Sequence, residues 1–285
     1  MTNTKKETYI IMKRLYKEAN KTVYSVSNKE GYKKLKLPNK YNLKIGYVFE
    51  IESVQGDEVT SLNILDNVNT IDYLPHTKEP IESIMNKIEE ISDEYITSPQ
   101  AKALDDYFFK NEEFLEKFRN GIGGVSMHHN YIGGLAEHTL HVMNLTRILC
   151  ELYHCRRPEI AILSAKLHDI GKIYELDFSG PFKYTLEGEL EGHIVIGIQM
   201  LDRAFRESGF AYSEDFIRRI KGCITQHHGK IEYGSPKAAN MEESYILNFA
   251  DSVDATLNKI NIMKEDCPYD TWSDYEKKLD TRLYL

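Results

Sequence analysis

The chain has 285 residues, 41% of them hydrophobic and 28% charged, and a net charge of −8. It can bury a real core in one large domain plus a small one, and it offers no run of about eighteen apolar residues that would span a membrane. The start, MTNTKKETYI, lacks the apolar centre of a signal peptide, so the expected location is the cytoplasm. Cys150, Cys155, Cys223 and Cys267 form no CxxC pair, and reduced packing thiols are expected rather than disulfides or a zinc ribbon. Charge is unevenly spread: residues 1–44 carry 12 basic and 3 acidic side chains, net +9, which leaves −17 for the remainder. Such a basic segment fits a polyanion contact about as well as it fits a solvated basic face.

In chain order, short β-type runs come first. TYIIMKRLY, TVYSVS, GYKKLKL, GYVFEIESV and EVTSLNIL are rich in Tyr, Val and Ile and are broken at Asn20, Gly31, Pro38, Gly46 and Gly56. About five strands in about 70 residues predict a small barrel, of which an OB-fold is one form, with single-stranded nucleic acid as its usual ligand. Tyr9, Tyr24, Tyr32, Tyr41 and Tyr47 are candidate stacking platforms, although strand filler is the commoner use of any one of them. Pro75 and Pro80 then punctuate a change of period. Ile84, Ile88, Ile91 and Tyr95 predict an amphipathic helix from Ile81, and Leu104, Phe108, Leu115 and Phe118 predict a second one ending near Asn120.

The loop GIGGVSMHHNYIGG follows, with five glycines around His128 and His129, two candidate substrate contacts. The next helix begins near Leu135 and carries His138 and His141 on roughly one face. LSAKLHDIGK reads as an apolar helix that delivers His168 and Asp169 side by side and stops at Gly171 in a left-handed cap. Further on stand His193 in EGHIVIG, His227 and His228 in TQHHGK, and Asp251 in LNFADSVDA. Imidazole and carboxylate from several helices are the ligand mix expected for Mn²⁺, Fe²⁺, Zn²⁺ or Mg²⁺, and an Asp beside a His can bridge two ions. Two ions about 4 Å apart suit a phosphoryl displacement. Asp254, one turn after Asp251, reads as a helix-surface carboxylate or as a group orienting a ligand, and Glu137 and His141 are open in the same way.

The ordered set H…HD…H…HH…D is similar to that of the HD superfamily of metal-dependent phosphohydrolases. HHNYIGGLAEHTLHV, LSAKLHDIGKIYEL, YTLEGELEGHIVIG, ITQHHGKIEYGSP and NFADSVDA resemble segments of YhaM-type 3'-to-5' exoribonucleases in particular. HHGKIEYGSP stands where the cyclic-dinucleotide branch would carry a GYP signature. The resemblance implies that His138, His168, Asp169 and Asp251 are metal ligands, that His193, His227 and His228 complete a second ion's shell, and that Asp169 bridges the two. It further implies that Lys172 faces the substrate phosphate, that the ions are Mn²⁺, and that an OB-fold precedes the helices.

The expected fold is therefore α+β, a small N-terminal OB-like β-barrel followed by an all-α HD domain. The expected divisions are a β domain over 1–75, a helical linker over 76–120, the metal-dependent domain over 121–265 and a tail over 266–285 that reads as a polar helix or an exposed arm. The expected activity is 3'-to-5' hydrolysis of single-stranded RNA to nucleoside 5'-monophosphates, with single-stranded DNA as a second substrate, Asp169 and Lys172 as the catalytic residues and two divalent ions as cofactors. A phosphohydrolase of mononucleotides or cyclic nucleotides and a non-catalytic nucleic-acid-binding module are the alternatives. No membrane partner is expected, and the oligomeric state is left open.

Overall fold

Five strands form where the apolar alternation places them: β1 (Thr8–Lys17), β2 (Lys21–Asn28), β3 (Gly31–Pro38), β4 (Val48–Gln55) and β5 (Glu58–Leu65). The computed structural model describes residues 7–56, 58–125, 129–277 and 279–285. All four pairings are antiparallel, in the order β3-β2-β1-β4-β5. The two edges, β3 and β5, come close to each other, which turns the order into the circuit 1-2-3-5-4 of a partly open OB-type barrel. Inside it lie Tyr9, Ile11, Tyr24, Val26, Leu37 and Phe49. The two-residue period of β1 sends Ile10 the other way, into a cluster with Val48, Leu74, Ile122, Ile132 and Leu176 that fastens the barrel to the helices.

Past a 3-10 turn at Thr70–Tyr73 the chain becomes helical: α1 (Ile81–Tyr95), α2 (Pro99–Phe109), α3 (Glu112–Asn120), α4 (Gly134–Leu152), α5 (Pro158–Leu167), α6 (Lys172–Glu175), α7 (Leu186–Glu207), α8 (Glu214–Gln226) and α9 (Glu242–Asp266). Where one helix was expected to end near Asn120 there are two. Asn111 interrupts the run, because its side chain accepts from the amides of Glu113 and Phe114 and caps a new N-terminus. Ile84 and Ile88 of α1, Leu104 of α2 and Phe118 of α3 share one core with Leu135, Leu163, Leu201, Ile224 and Leu247. Residues 81–120 are thus packed into the helical unit along their length rather than strung between two units.

The described residues after Cys267 form neither a helix nor a free arm. Thr271 and Leu285 exchange backbone hydrogen bonds, and Trp272 pairs with Tyr284 and Glu276 with Thr281 in a short antiparallel hairpin. Cys150, Cys155 and Cys223 are buried and unbridged, as packing thiols should be, and burial pushes the Cys223 thiol up to about 12. Among the described residues no helix is long and apolar enough to cross a membrane.

Candidate metal centre

The centre is built on the turn that ends α5. Ile160 to Leu167 of that helix are all buried, Lys166 among them through its ion pair with Asp105, so the helix runs through the middle of the helical unit. His168 and Asp169 follow its last residue. Gly171 does not adopt the left-handed cap expected of it: its φ of −62° and ψ of −23° are right-handed. Glycine is required there because a Cβ would lie 2.0 Å from the carbonyl oxygen of His193, so the turn rests directly on the backbone of α7.

Four imidazoles surround the Asp169 carboxylate, each held from behind. His168 Nδ1 donates to the Ala165 carbonyl at 2.8 Å and His227 Nδ1 to the Ile224 carbonyl at 2.7 Å, so in both rings the lone pair is left on Nε2. His138 Nδ1 is held by Asp254 Oδ2 at 2.7 Å and His193 Nδ1 by Glu175 Oε1 at 3.1 Å. A kink at Gly192 lets the backbone amide of His193 reach the same Glu175 oxygen at 3.0 Å. The four Nε2 atoms then divide between the two oxygens of Asp169. Oδ2 has His138 and His168, each at 3.3 Å, and Oδ1 has His193 at 3.4 Å and His227 at 3.8 Å. Asp251 Oδ1 joins the first group, 3.3 Å from His138 Nε2, and the His228 ring packs against those of His193 and His227 in the second. All seven residues expected as ligands are brought together.

The two groups differ electrically. Burial opposes charge on His138, but hydrogen bonds to Asp169, Asp251 and Asp254 outweigh it and hold its pKa well above the usual histidine value. Burial also opposes charge on Asp169, yet the Lys172 ammonium and His168 keep its carboxyl well below the usual range. On the other side, burial and the neighbouring imidazoles of His228 and His168 push His227 well down, and burial and His193 lower His228. Lys172 Nζ sits 2.7 Å from Asp169 Oδ2 and donates to the Gly123 carbonyl at 2.7 Å, with its side chain at the edge of a cleft. Its pKa is raised: burial works against the charge and Asp169 more than restores it.

Asp254 is no surface carboxylate. It is buried, and besides His138 it is bonded to His129 Nε2 and His141 Nδ1, each at 2.8 Å. His129 is fully buried as well. Its other nitrogen lies 3.1 Å from Glu137 Oε2 and 2.9 Å from the Tyr131 hydroxyl, which itself bonds Glu137, and its backbone amide donates to Asn258. The expectation that His129 contacts substrate is therefore corrected: both ring nitrogens are engaged behind His138. His128 lies outside the described residues. Glu175, Tyr131 and Asn258 were not singled out from sequence. Glu175 sits in KIYEL with nothing to mark it but a charge inside an apolar run, whereas Glu137 directly precedes His138 and Asp254 stands one turn after Asp251, both of them candidate ligands.

Asp169 Oδ1, His193 Nε2, His227 Nε2 and His228 Nδ1 are buried without a hydrogen-bond partner. Buried polar atoms are normally satisfied, so four converging acceptors fit a cation. The sets His193, His227, His228 and His138, His168, Asp169 each have ligand atoms close enough to share one ion. Mixed imidazole and carboxylate suits a divalent metal.

Comparison with known proteins agrees with this geometry. Residues 135–256 match the family model of the HD domain. The chain is similar to proteins named 3'-5' exoribonuclease YhaM: 34% identical over 201 residues to that of a Geobacillus species, covering 69% of this chain and 59% of the relative. It is 32% identical over 198 residues to that of Bacillus subtilis, covering 69% and 61%, and 29% identical over 221 residues to that of Bacillus licheniformis, covering 77% and 68%. The matched part spans about three-fifths of the first two relatives' length, 59% and 61%. No solved structure matches.

Proposed function

We propose that this chain, whose residues 135–256 match the family model of the HD domain, is a metal-dependent 3'-to-5' exoribonuclease that releases nucleoside 5'-monophosphates. The observation that carries the reading is the division of Asp169: one carboxylate whose two oxygens face two separate sets of imidazoles. The residues that would hold one ion are His138, His168, Asp169 and Asp251, and those for the other are Asp169, His193, His227 and His228. Two divalent ions held there, Mn²⁺ as the resemblance to the exoribonucleases implies, would supply Lewis acidity and activate a water at neutral pH. The names of the relatives supply the direction of attack and the RNA substrate.

The chain's own groups do the rest. Lys172, kept protonated by Asp169, stands at the cleft where the terminal phosphodiester would lie and offsets its developing negative charge. Glu175, Asp254 and the carbonyls of Ala165 and Ile224 hold the four imidazoles in one tautomer and orientation. Residues 1–44, with their net charge of +9, are assigned to the RNA backbone. A time course on 3'-labelled and 5'-labelled single-stranded RNA in Mn²⁺ tests the reading. Stepwise loss from the 3' end is expected. Hydrolysis of mononucleotides with no shortening of RNA would overturn it in favour of a small-molecule phosphohydrolase.

A further inference from the structure

The cleft over the metal centre, about 400 Å³ in volume and bordered by Asp169, Lys172, His228 and Asp251, shares one wall residue with a second hollow. That residue is Lys259 of α9, and the second hollow has a volume of about 450 Å³. Ile262 and Met263 line it from the end of α9, Trp272 and Tyr275 from the C-terminal hairpin, and Tyr32 from β3 of the barrel. The barrel and the C-terminal hairpin, far apart in sequence, thus place three aromatic side chains around one space.

The rings are accessible and held. Trp272 is 61% exposed, Tyr275 57% and Tyr32 44%. The Tyr32 hydroxyl donates to the Asn130 carbonyl at 3.2 Å and accepts from Asn130 Nδ2 at 3.3 Å. Trp272 packs edge-on to Tyr284, with centroids 5.6 Å apart, and the Arg282 guanidinium lies over it. Lys259 borders both the catalytic cleft and the hollow, while Asp274 and Glu276 line the hollow from the hairpin. Two carboxylates among aromatic rings repel phosphate and accept hydrogen bonds from the exocyclic amino groups of bases, and every base has a face that stacks. From Asp251 to Met263 the helix rises about 18 Å. A mononucleotide with its phosphate at the metal centre does not reach this hollow, whereas an oligonucleotide does.

We propose that this hollow is an upstream base-binding subsite, in which Tyr32, Trp272 and Tyr275 stack a base of a single-stranded RNA whose 3' end lies at the metal centre. It rests on the exoribonuclease reading above. Lys259 marks where the intervening phosphates pass from cleft to hollow. The C-terminal hairpin is then part of the substrate path.

Trp272 is the chain's single tryptophan, so its fluorescence reports on this hollow alone. The full chain in chelator, where RNA is not consumed, is titrated with an oligoadenylate of about ten nucleotides, within the span of single-strand-binding sites, and in parallel with AMP. The oligonucleotide is expected to quench Trp272 as it binds, and AMP at equal concentration to leave it unchanged. Trp272→Ala and Tyr275→Ala should each weaken oligonucleotide binding by about 5- to 100-fold, the range that stacking of one base spans, and Trp272→Phe should recover most of the loss. Tyr153→Ala, an exposed tyrosine at the end of α4, serves as the control with unchanged affinity. Oligonucleotide that is bound and shortened from its 3' end without quenching, and with unchanged affinity in both alanine variants, refutes the subsite and leaves the nuclease reading intact. Equal quenching by AMP refutes it in favour of a separate mononucleotide pocket. Oligonucleotide that quenches Trp272 but is never shortened in Mn²⁺ refutes the nuclease reading instead.

Discussion

The two sides of Asp169 solve the same problem, placing imidazoles in a buried site, by opposite means. On the Oδ2 side, His138 is surrounded by the carboxylates of Asp169, Asp251 and Asp254, so positive and negative charge compensate within the protein. On the Oδ1 side, His193, His227 and His228 crowd together, each with a ring nitrogen that has no partner, and His227 and His228 have their pKa pushed down. The first side has its charges paired without an ion. The second is made of ring nitrogens left without a partner, which a cation would satisfy, and the lesson is that candidate ligands of one centre can differ widely in what they contribute to the fold.

The largest effect should come from removing what both sides share. Asp169→Asn is expected to abolish hydrolysis, a loss of about 1,000-fold or more given the several kcal/mol that metal ions supply to such transition states, and to deplete both ions without unfolding the chain. Elemental analysis beside an activity assay checks this, and near-normal turnover would sink the bridging role. Next comes a contrast in chelator. His138→Ala strips three carboxylates of a partner, two of them buried, and should cost about 3–5 kcal/mol of unfolding free energy. His227→Ala removes an unsatisfied nitrogen and leaves a small void, two opposed effects that net to about 1 kcal/mol. Equal denaturant midpoints for the two variants would erase the distinction drawn between the sides.

A smaller change sharpens it. Asp254→Asn keeps the shape behind His138 but removes the charge, and is expected to weaken metal binding at the Oδ2 site by about 10- to 100-fold, while the Oδ1 site is altered less. Metal titration resolving two binding steps reads this directly, and an equal loss at both steps would contradict it. The smallest expected signal is protonic. His138 has a raised pKa, so the metal-free fold gains stability from its protonation that is fully present below the ordinary histidine value and is lost as pH rises through the raised one. Binding an ion at Nε2 expels that proton, so affinity on this side should rise with pH through neutrality. About one proton should be released per ion, seen by calorimetry in buffers of different ionisation heat. His227 and His228 are already neutral and should release none.

Local pattern and distant packing divide what could be read in advance. β1 to β5 were legible because strand period and turn residues are local, and the candidate ligands could be picked out because HD, HH and the later Asp stand on separate helical patterns. The break at Asn111 was hidden, since Leu104, Phe108, Leu115 and Phe118 fit one uninterrupted helix face, and only the capping bonds of Asn111 distinguish two helices from one. The role of Asp254 depends on α9 lying against α4, which places it beside His138 and His141 from more than a hundred residues away. Nothing in LNFADSVDA announces that. Likewise DYEKKLDTRLYL has no apolar period to betray a hairpin, because the pairing of Trp272, just before it, with Tyr284 is held by backbone bonds and ring contacts.

The contact between Gly171 and His193 has a counterpart, and together they bear on how tightly the centre is toleranced. A Cβ on Gly188 would lie 2.2 Å from the carbonyl oxygen of Glu175, so the short helix α6 touches α7 with bare backbone at both of its ends. Peptide groups have no rotamers, and a joint made of them cannot relax by turning a side chain. The separation between the turn that carries Asp169 and the turn that carries His193 is therefore fixed by main-chain contact. Apolar neighbours such as Ile173 and Ile194 can change size and shift stability while that separation holds. In this centre, spacing and cohesion are set by different atoms, and the sequence is free to vary in one without detuning the other.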